Sequence, residues 1–248
     1  MLLQDSHFYG ELWFKGATIQ LNINLTKAIL DGVTVFSDAG IGRTLCLRNI
    51  QVGAKQGFKF FNCFAERILL DRSIVDGHLH PEQLKEYGAA SKEYAFLRTV
   101  FQNNNNFDDE DWAYYQFKRM SRKAIPLSWN PLNCLRHAFE YFFLDRGCGY
   151  GTKPFRTLYM CMFMIAIFAM IYFFGYFYGT QPERNYGVDN EILATIFYSF
   201  DVSIIAFGGG YSDLSIDGSI RLFAMIEYLL GIIFVGLFIV AFSRKVIR

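Results

Sequence analysis

Hydrophobic and polar positions follow three different rules along this chain. From about Gly10 to Gly77, apolar residues recur every five positions. Leu25, Leu30, Val35, Leu45, Ile50 and Phe60 share one frame, Ile23, Ala28 and Val33 hold the position two residues earlier, and Phe64, Leu69 and Ile74 follow in a shifted frame. A unit this short cannot bury its own face, so the spacing predicts successive turns stacked into a β-solenoid. An irregular β-sheet with accidental spacing is the alternative.

A helical rule follows. Leu84, Tyr87, Tyr94 and Leu97 lie loosely on one face between Pro81 and about Thr99, and an Asn103–Asn106 run breaks the pattern. Asp108 to Asp111 open a second helix that ends in Lys118, Arg119, Arg122 and Lys123, acid first and base last as the helix dipole favours. Leu132 to Leu144 crowds Phe139, Phe142 and Phe143 beside Arg136, His137 and Glu140, which predicts an amphipathic helix at a membrane interface.

The third rule is unbroken apolarity. Thr157–Pro182 contains no charge, and Leu222–Ser243 contains only Glu227. An apolar run of about 20 residues can cross roughly 30 Å of hydrocarbon as a helix. Two transmembrane helices are expected, so a wholly soluble globular protein is excluded. Lys153 and Arg156 precede the first, and Arg244, Lys245 and Arg248 follow the second. The positive-inside rule then expects both termini in the cytoplasm of a plasma or inner membrane protein. No basic n-region precedes an apolar stretch at the N-terminus, so no cleaved signal peptide is expected.

Between the spans, Glu191–Ala206 is apolar but too short to cross, the description of a re-entrant helix. Phe207-Gly208-Gly209-Gly210-Tyr211-Ser212-Asp213 follows directly. Irregular backbone at membrane depth is tolerated only where it is buried in protein or lines an aqueous path. The expected arrangement is therefore a pore subunit, with Asp201 setting a field at the loop or bracing it. Glu227 is expected to support the re-entrant segment. Gly231 is either a hinge or a close-packing point, and Phe234, Phe238 and Phe242, four residues apart, either gate the inner pore or pack.

At this point a resemblance becomes specific. Two spans around a short helix and a G-Y-x-D loop resemble the two-transmembrane potassium-channel superfamily, with Gly210, Tyr211 and Asp213 on its Gly, Tyr and Asp. The resemblance covers Thr157–Arg248 and implies a homotetramer whose selectivity filter is Phe207 to Asp213 and whose permeant ion is potassium. Phe207 and Gly208 replace the family's two threonines, Gly209 its branched apolar residue, and Ser212 its last glycine. The five-residue frame resembles the pentapeptide-repeat family, and DWAYYQFKRMSRK with GYGTKPFRTL is similar to proteins joining such a domain to this channel module.

Charge and chemistry narrow the function classes. The net charge is +1, from 24 Lys+Arg against 23 Asp+Glu, which argues against a nucleic-acid partner. Cys46, Cys63, Cys134, Cys148 and Cys161 are scattered and odd in number, as expected of free thiols in a reducing compartment. The glycines of 147–151 lack phosphate-loop spacing, and His78-x-His80 lacks further ligands, so no cofactor and no metal are expected. Without a catalytic triad or paired carboxylates, an enzyme is not expected. The expected organisation is a pentapeptide-repeat-like β-solenoid over 1–77, a helical linker with the interfacial helix over 78–151, and a two-transmembrane pore domain over 152–248. Cation conduction is the leading reading, because six carboxylates against two basic residues line Gly179–Arg221. Anion-selective or non-selective conduction is the alternative. A nonconducting membrane-anchored sensor, whose solenoid binds an unknown cytoplasmic partner, is the reading from another class.

Overall fold

Short strands open the chain in the computed structural model, which describes residues 1–53, 55–126, 131–177, 190–210 and 219–246. They are β1 (His7–Phe8), β2 (Leu12–Trp13), β3 (Thr18–Ile19), β4 (Ile23–Asn24), β5 (Ile29–Leu30), β6 (Val33–Val35), β7 (Gly40–Leu47), β8 (Gln51–Val52), β9 (Gly57–Lys59) and β10 (Phe64–Leu70). All pair in parallel, in three small sheets ordered β1-β5-β8, β2-β6-β9 and β10-β7-β3, with β4 also on β7. His7 faces Ile29 and Ile29 faces Gln51, so a partner lies 22 residues on. The turns recur with the strands. Asp5, Lys27 and Asn49 take φ of 53°, 60° and 53°, and Asp and Asn accept the left-handed region more readily than most residues. Phe14, Phe36 and Phe60 stack at 5.1 and 5.7 Å between ring centres, in a core with Leu25, Ala28, Leu30 and Leu45.

This corrects the expected solenoid. The strands form three separate small sheets rather than one closed pentapeptide-repeat β-helix. The five-residue frame is clean only over Ile23–Val35, and the longest strands obey a different period. In β7, Leu45 and Leu47 are buried on either side of half-buried Cys46, and in β10 Ile68 and Leu70 flank half-buried Leu69. That is the two-residue alternation of an ordinary strand. Phe64, a frame position, is 70% exposed.

Four helices follow: α1 (Arg72–Val75), α2 (His80–Gln83), α3 (Tyr87–Asn103) and α4 (Phe107–Ala124). The single helix expected from Pro81 to Thr99 is split at Lys85, which takes φ of 60°. The Asn103–Asn106 break instead supplies a cap, for the Asn106 side chain accepts from the Asp109 backbone N–H. Trp112 of α4 meets Tyr94 of α3 edge-on at 5.5 Å. These elements belong to a first compact unit, Met1–His137.

The second unit, Ala138–Arg248, begins within α5 (Pro131–Phe139). A π-helical segment, Glu140–Cys148, continues it, and three long helices follow: α6 (Pro154–Phe177), α7 (Glu191–Gly208) and α8 (Ser219–Val246). All three pack on one another around Phe168, Tyr172, Tyr176, Val202, Ala206 and Ala224.

Here the expectation of two spans and a short re-entrant helix is also corrected. Three helices, Pro154–Tyr176, Glu191–Gly208 and Ile220–Val246, are long and apolar enough to cross a membrane, with mean hydropathies of 2.2, 1.5 and 2.5. The middle one has 18 residues because Phe207 and Gly208, expected in a loop, continue the helix. At 1.5 Å per residue that is about 27 Å, close to the hydrocarbon thickness. No two-span pore is evident among the described residues. Only 17%, 33% and 22% of the three apolar windows is buried within the chain, as suits membrane association.

Candidate functional site

The site sits where α6, α7 and α8 meet. Its foundation is the start of α7, where the Asn190 side chain accepts from the Ile192 and Leu193 backbone N–H groups at 3.1 and 3.4 Å. From there Thr195, Ser199 and Ser203 recur every four residues, and all three are buried. Thr195 donates to the Glu191 carbonyl at 2.8 Å and Ser199 to the Thr195 carbonyl at 2.7 Å. Ile192, Leu193, Phe197, Phe200 and Ile204 are exposed. Small polar residues within and large apolar ones without is the arrangement of helices that associate inside a bilayer.

Ser203 ends the stripe at a carboxyl group. Its hydroxyl lies 2.9 Å from the Ile165 carbonyl of α6 and also contacts Glu227 Oε1 of α8. The Tyr172 hydroxyl of α6 donates to Glu227 Oε2 at 2.5 Å. Tyr172, Ser203 and Glu227 are fully buried, so one carboxyl group joins all three helices where water does not reach. An ionisable group in such a place is costly unless every oxygen is partnered. Here both oxygens are.

One turn of α8 beyond, Gly231 meets the end of α7. A β-carbon at Gly231 would stand 2.2 Å from the Phe207 carbonyl oxygen, so only glycine permits this approach. Helix α7 then stops at Gly209, whose φ of 101° is left-handed. The Gly209 N–H donates to the Ala206 carbonyl at 3.4 Å and the Gly210 N–H to the Ile205 carbonyl at 2.9 Å. Phe207 is buried, and Gly208 is exposed.

The remaining expected residues are dispersed. Tyr211, Ser212 and Asp213 lie outside the described residues. Asp201 is half-buried on α7, two residues from Ser203. Phe234 is buried against Phe143 of the π-helical segment, with ring centres 5.4 Å apart. Phe238 and Phe242 stack on each other at 5.8 Å along α8, and Phe242 is exposed. Sequence reasoning missed Tyr172 and Ser203. The T-x3-S-x3-S spacing was the available signal for the second; Tyr172 had none.

In the first unit, Glu93 of α3 is the notable buried charge. Its carboxylate accepts the Phe60 and Phe61 backbone N–H groups at 2.8 and 3.1 Å. Burial pushes its pKa up to about 7, against the pull of those two donors and of Lys59. Burial and the nearby Glu93 charge together push the Cys63 thiol up to about 12, which removes it as a nucleophile. Among the described residues no group of three or more His, Cys, Asp or Glu side chains is placed to hold a metal ion. No protein-family model matches the chain, and neither a curated protein nor a solved structure does.

Proposed function

We propose that this chain is one subunit of an ion-conducting membrane protein, selective for cations, assembled from identical copies. The observation that carries the reading is the seating of a glycine-rich turn, Gly209-Gly210, at the end of an apolar helix locked from both sides. A mere anchor has no use for such a turn, whereas its backbone carbonyls, facing a path between copies, can replace part of a cation's hydration shell. One copy offers one turn, which cannot enclose a path by itself, and cyclic symmetry supplies the others. The resemblance to the potassium-channel superfamily sets the number at four.

Cations are favoured over anions for a local reason. An anion site on backbone would need unengaged N–H groups. Those of Gly209 and Gly210 are already donated to Ala206 and Ile205. The excess of carboxylates over basic residues in Gly179–Arg221 adds an attracting field. The basic residues Lys153, Arg156, Arg244 and Lys245 favour a plasma or inner membrane location with both ends cytoplasmic. Labelling the exposed Cys134, and a cysteine placed at Arg248, from either side of sealed vesicles reads this directly. Three full crossings would put the two on opposite sides.

Flux is tested on purified protein in liposomes under opposed potassium and chloride gradients. A reversal potential near that of potassium, from a particle with the mass of four chains, supports the reading. Absence of flux from intact, correctly inserted protein would leave the membrane-anchored sensor.

A further inference from the structure

Beside the first unit's core, a cavity of about 680 Å³ opens between β10 and the end of α3. Two arginines, Arg43 and Arg67, line it with Thr44, Asn103, Asn105 and Phe96. We propose that this cavity binds a small anionic ligand bearing a phosphate group.

A break in strand register places the arginines. Ala65 faces Ile41 but Arg67 faces Thr44, so β7 holds one residue more than β10 at Gly42-Arg43. Bulges of this kind turn a side chain away from the regular pleat. The bulge is held from behind, since a β-carbon on Gly42 would stand 2.2 Å from the Gln20 carbonyl oxygen. The opposite wall is fixed by Asn104, which donates to the Ile68 carbonyl of β10 at 2.6 Å and to the Val100 carbonyl at 3.0 Å. The walls are thus preformed on both sides.

The charge asks for a partner. Neither Arg43 nor Arg67 forms an ion pair with a carboxylate among the described residues, and both are exposed. Among the described residues Glu66 is the one carboxylate lining the cavity, against two guanidinium groups. Two planar donor forks match the oxygens of a phosphate better than a single carboxylate. The Asn103 and Asn105 amides and the Thr44 hydroxyl add neutral donors, and Phe96 offers an apolar face for the rest of the molecule. The volume falls within the roughly 300–1,000 Å³ of small-molecule sites.

The phosphate could belong to a soluble metabolite or to a lipid headgroup, and calorimetry on the full-length protein in detergent separates them. Three probes are titrated: inorganic phosphate, adenosine monophosphate and water-soluble dioctanoyl phosphatidic acid. Saturable binding of at least one is expected, weakened more than tenfold by Arg43→Gln and by Arg67→Gln. Arg48→Gln, at an exposed arginine outside the cavity, should leave it unchanged. Binding of either of the first two probes assigns a soluble ligand, and binding of the third alone assigns a lipid. Absence of saturable binding by all three, or equal loss in the three variants, overturns the site.

Discussion

Gly231 of α8 lies so close to Phe207 of α7 that a β-carbon on the glycine would come within 2.2 Å of the Phe207 carbonyl oxygen. The two helices meet here backbone to side-chain vacancy, and neither atom belongs to a flexible group. Gly231→Ala should therefore push α7 off α8 and lower the melting temperature of the detergent-solubilised protein by several degrees. Gly236 has nothing within 4 Å of its would-be β-carbon, so Gly236→Ala should leave that temperature unchanged. Equal melting of the two variants would show that this contact does not hold α7 in place.

The carboxyl group of Glu227 should behave as a joint rather than as an interchangeable polar group. Glu227→Gln keeps an oxygen for the Tyr172 hydroxyl and offers an amide N–H to Ser203, leaving the Ser203 hydrogen for Ile165. It should cost less than about 1 kcal/mol. Glu227→Ala leaves the buried Tyr172 hydroxyl without its partner, at about 1–3 kcal/mol, while Ser203 keeps the Ile165 carbonyl. Urea titration of the two variants, with Tyr172→Phe added to each, reads the coupling. An additive effect of Tyr172→Phe on Glu227→Ala would mean that the pair does not interact.

At the end of α7 the two neighbouring glycines should differ. Gly209 is left-handed, and a β-carbon there costs roughly 1–2 kcal/mol per chain. Gly208 is helical and has open space around it. Gly209→Ala should abolish liposome flux while the oligomer still assembles, because α6 and α8 are untouched. Gly208→Ala should fold and assemble with unchanged thermal stability, as differential scanning fluorimetry would show.

The first unit should lose stability as pH rises from about 4.5 to beyond about 7. Glu93 carries a raised pKa in the folded chain, so it retains its proton there at pH values where the unfolded carboxyl has lost it. Its contribution is complete below the unfolded value of 4.5 and is gone once pH has passed through about 7. Denaturant midpoints of the full-length protein, followed by tryptophan fluorescence between pH 4 and 8, should fall across that window. Glu93→Gln should flatten the slope, and an unchanged slope would place the effect on another group.

Much of the membrane unit was legible in the sequence because hydrocarbon is a severe solvent. Twenty residues without charge leave a chain few choices, and Thr157–Pro182 and Leu222–Ser243 announce α6 and α8 by composition alone. The acid-to-base gradient of α4 is local as well, and the helix formed where it predicted. Parallel pairing was foreshadowed only by a rhythm. The five-residue frame identified buried positions such as Ile23, Ala28 and Leu30, but a frame does not reveal how strands divide among sheets. Where β7 and β10 adopt the two-residue period, cross-strand pairing overrode the repeat.

By itself, the sequence determined which segments are apolar enough to leave water and where α4 begins, since both follow from solvation and from hydrogen bonds within a few residues. Tertiary structure decided the rest. The length of α7 depends on Phe207 and Gly208 continuing the helix beside α8, where Gly231 lets the Phe207 carbonyl approach, and no local signal reports on that fit. Glu227 stood out as the one charge in its run, yet its partners lie 55 and 24 residues away in the chain. A buried carboxyl group takes whatever hydroxyls the packing brings to it, and only the folded arrangement of α6, α7 and α8 could name Tyr172 and Ser203.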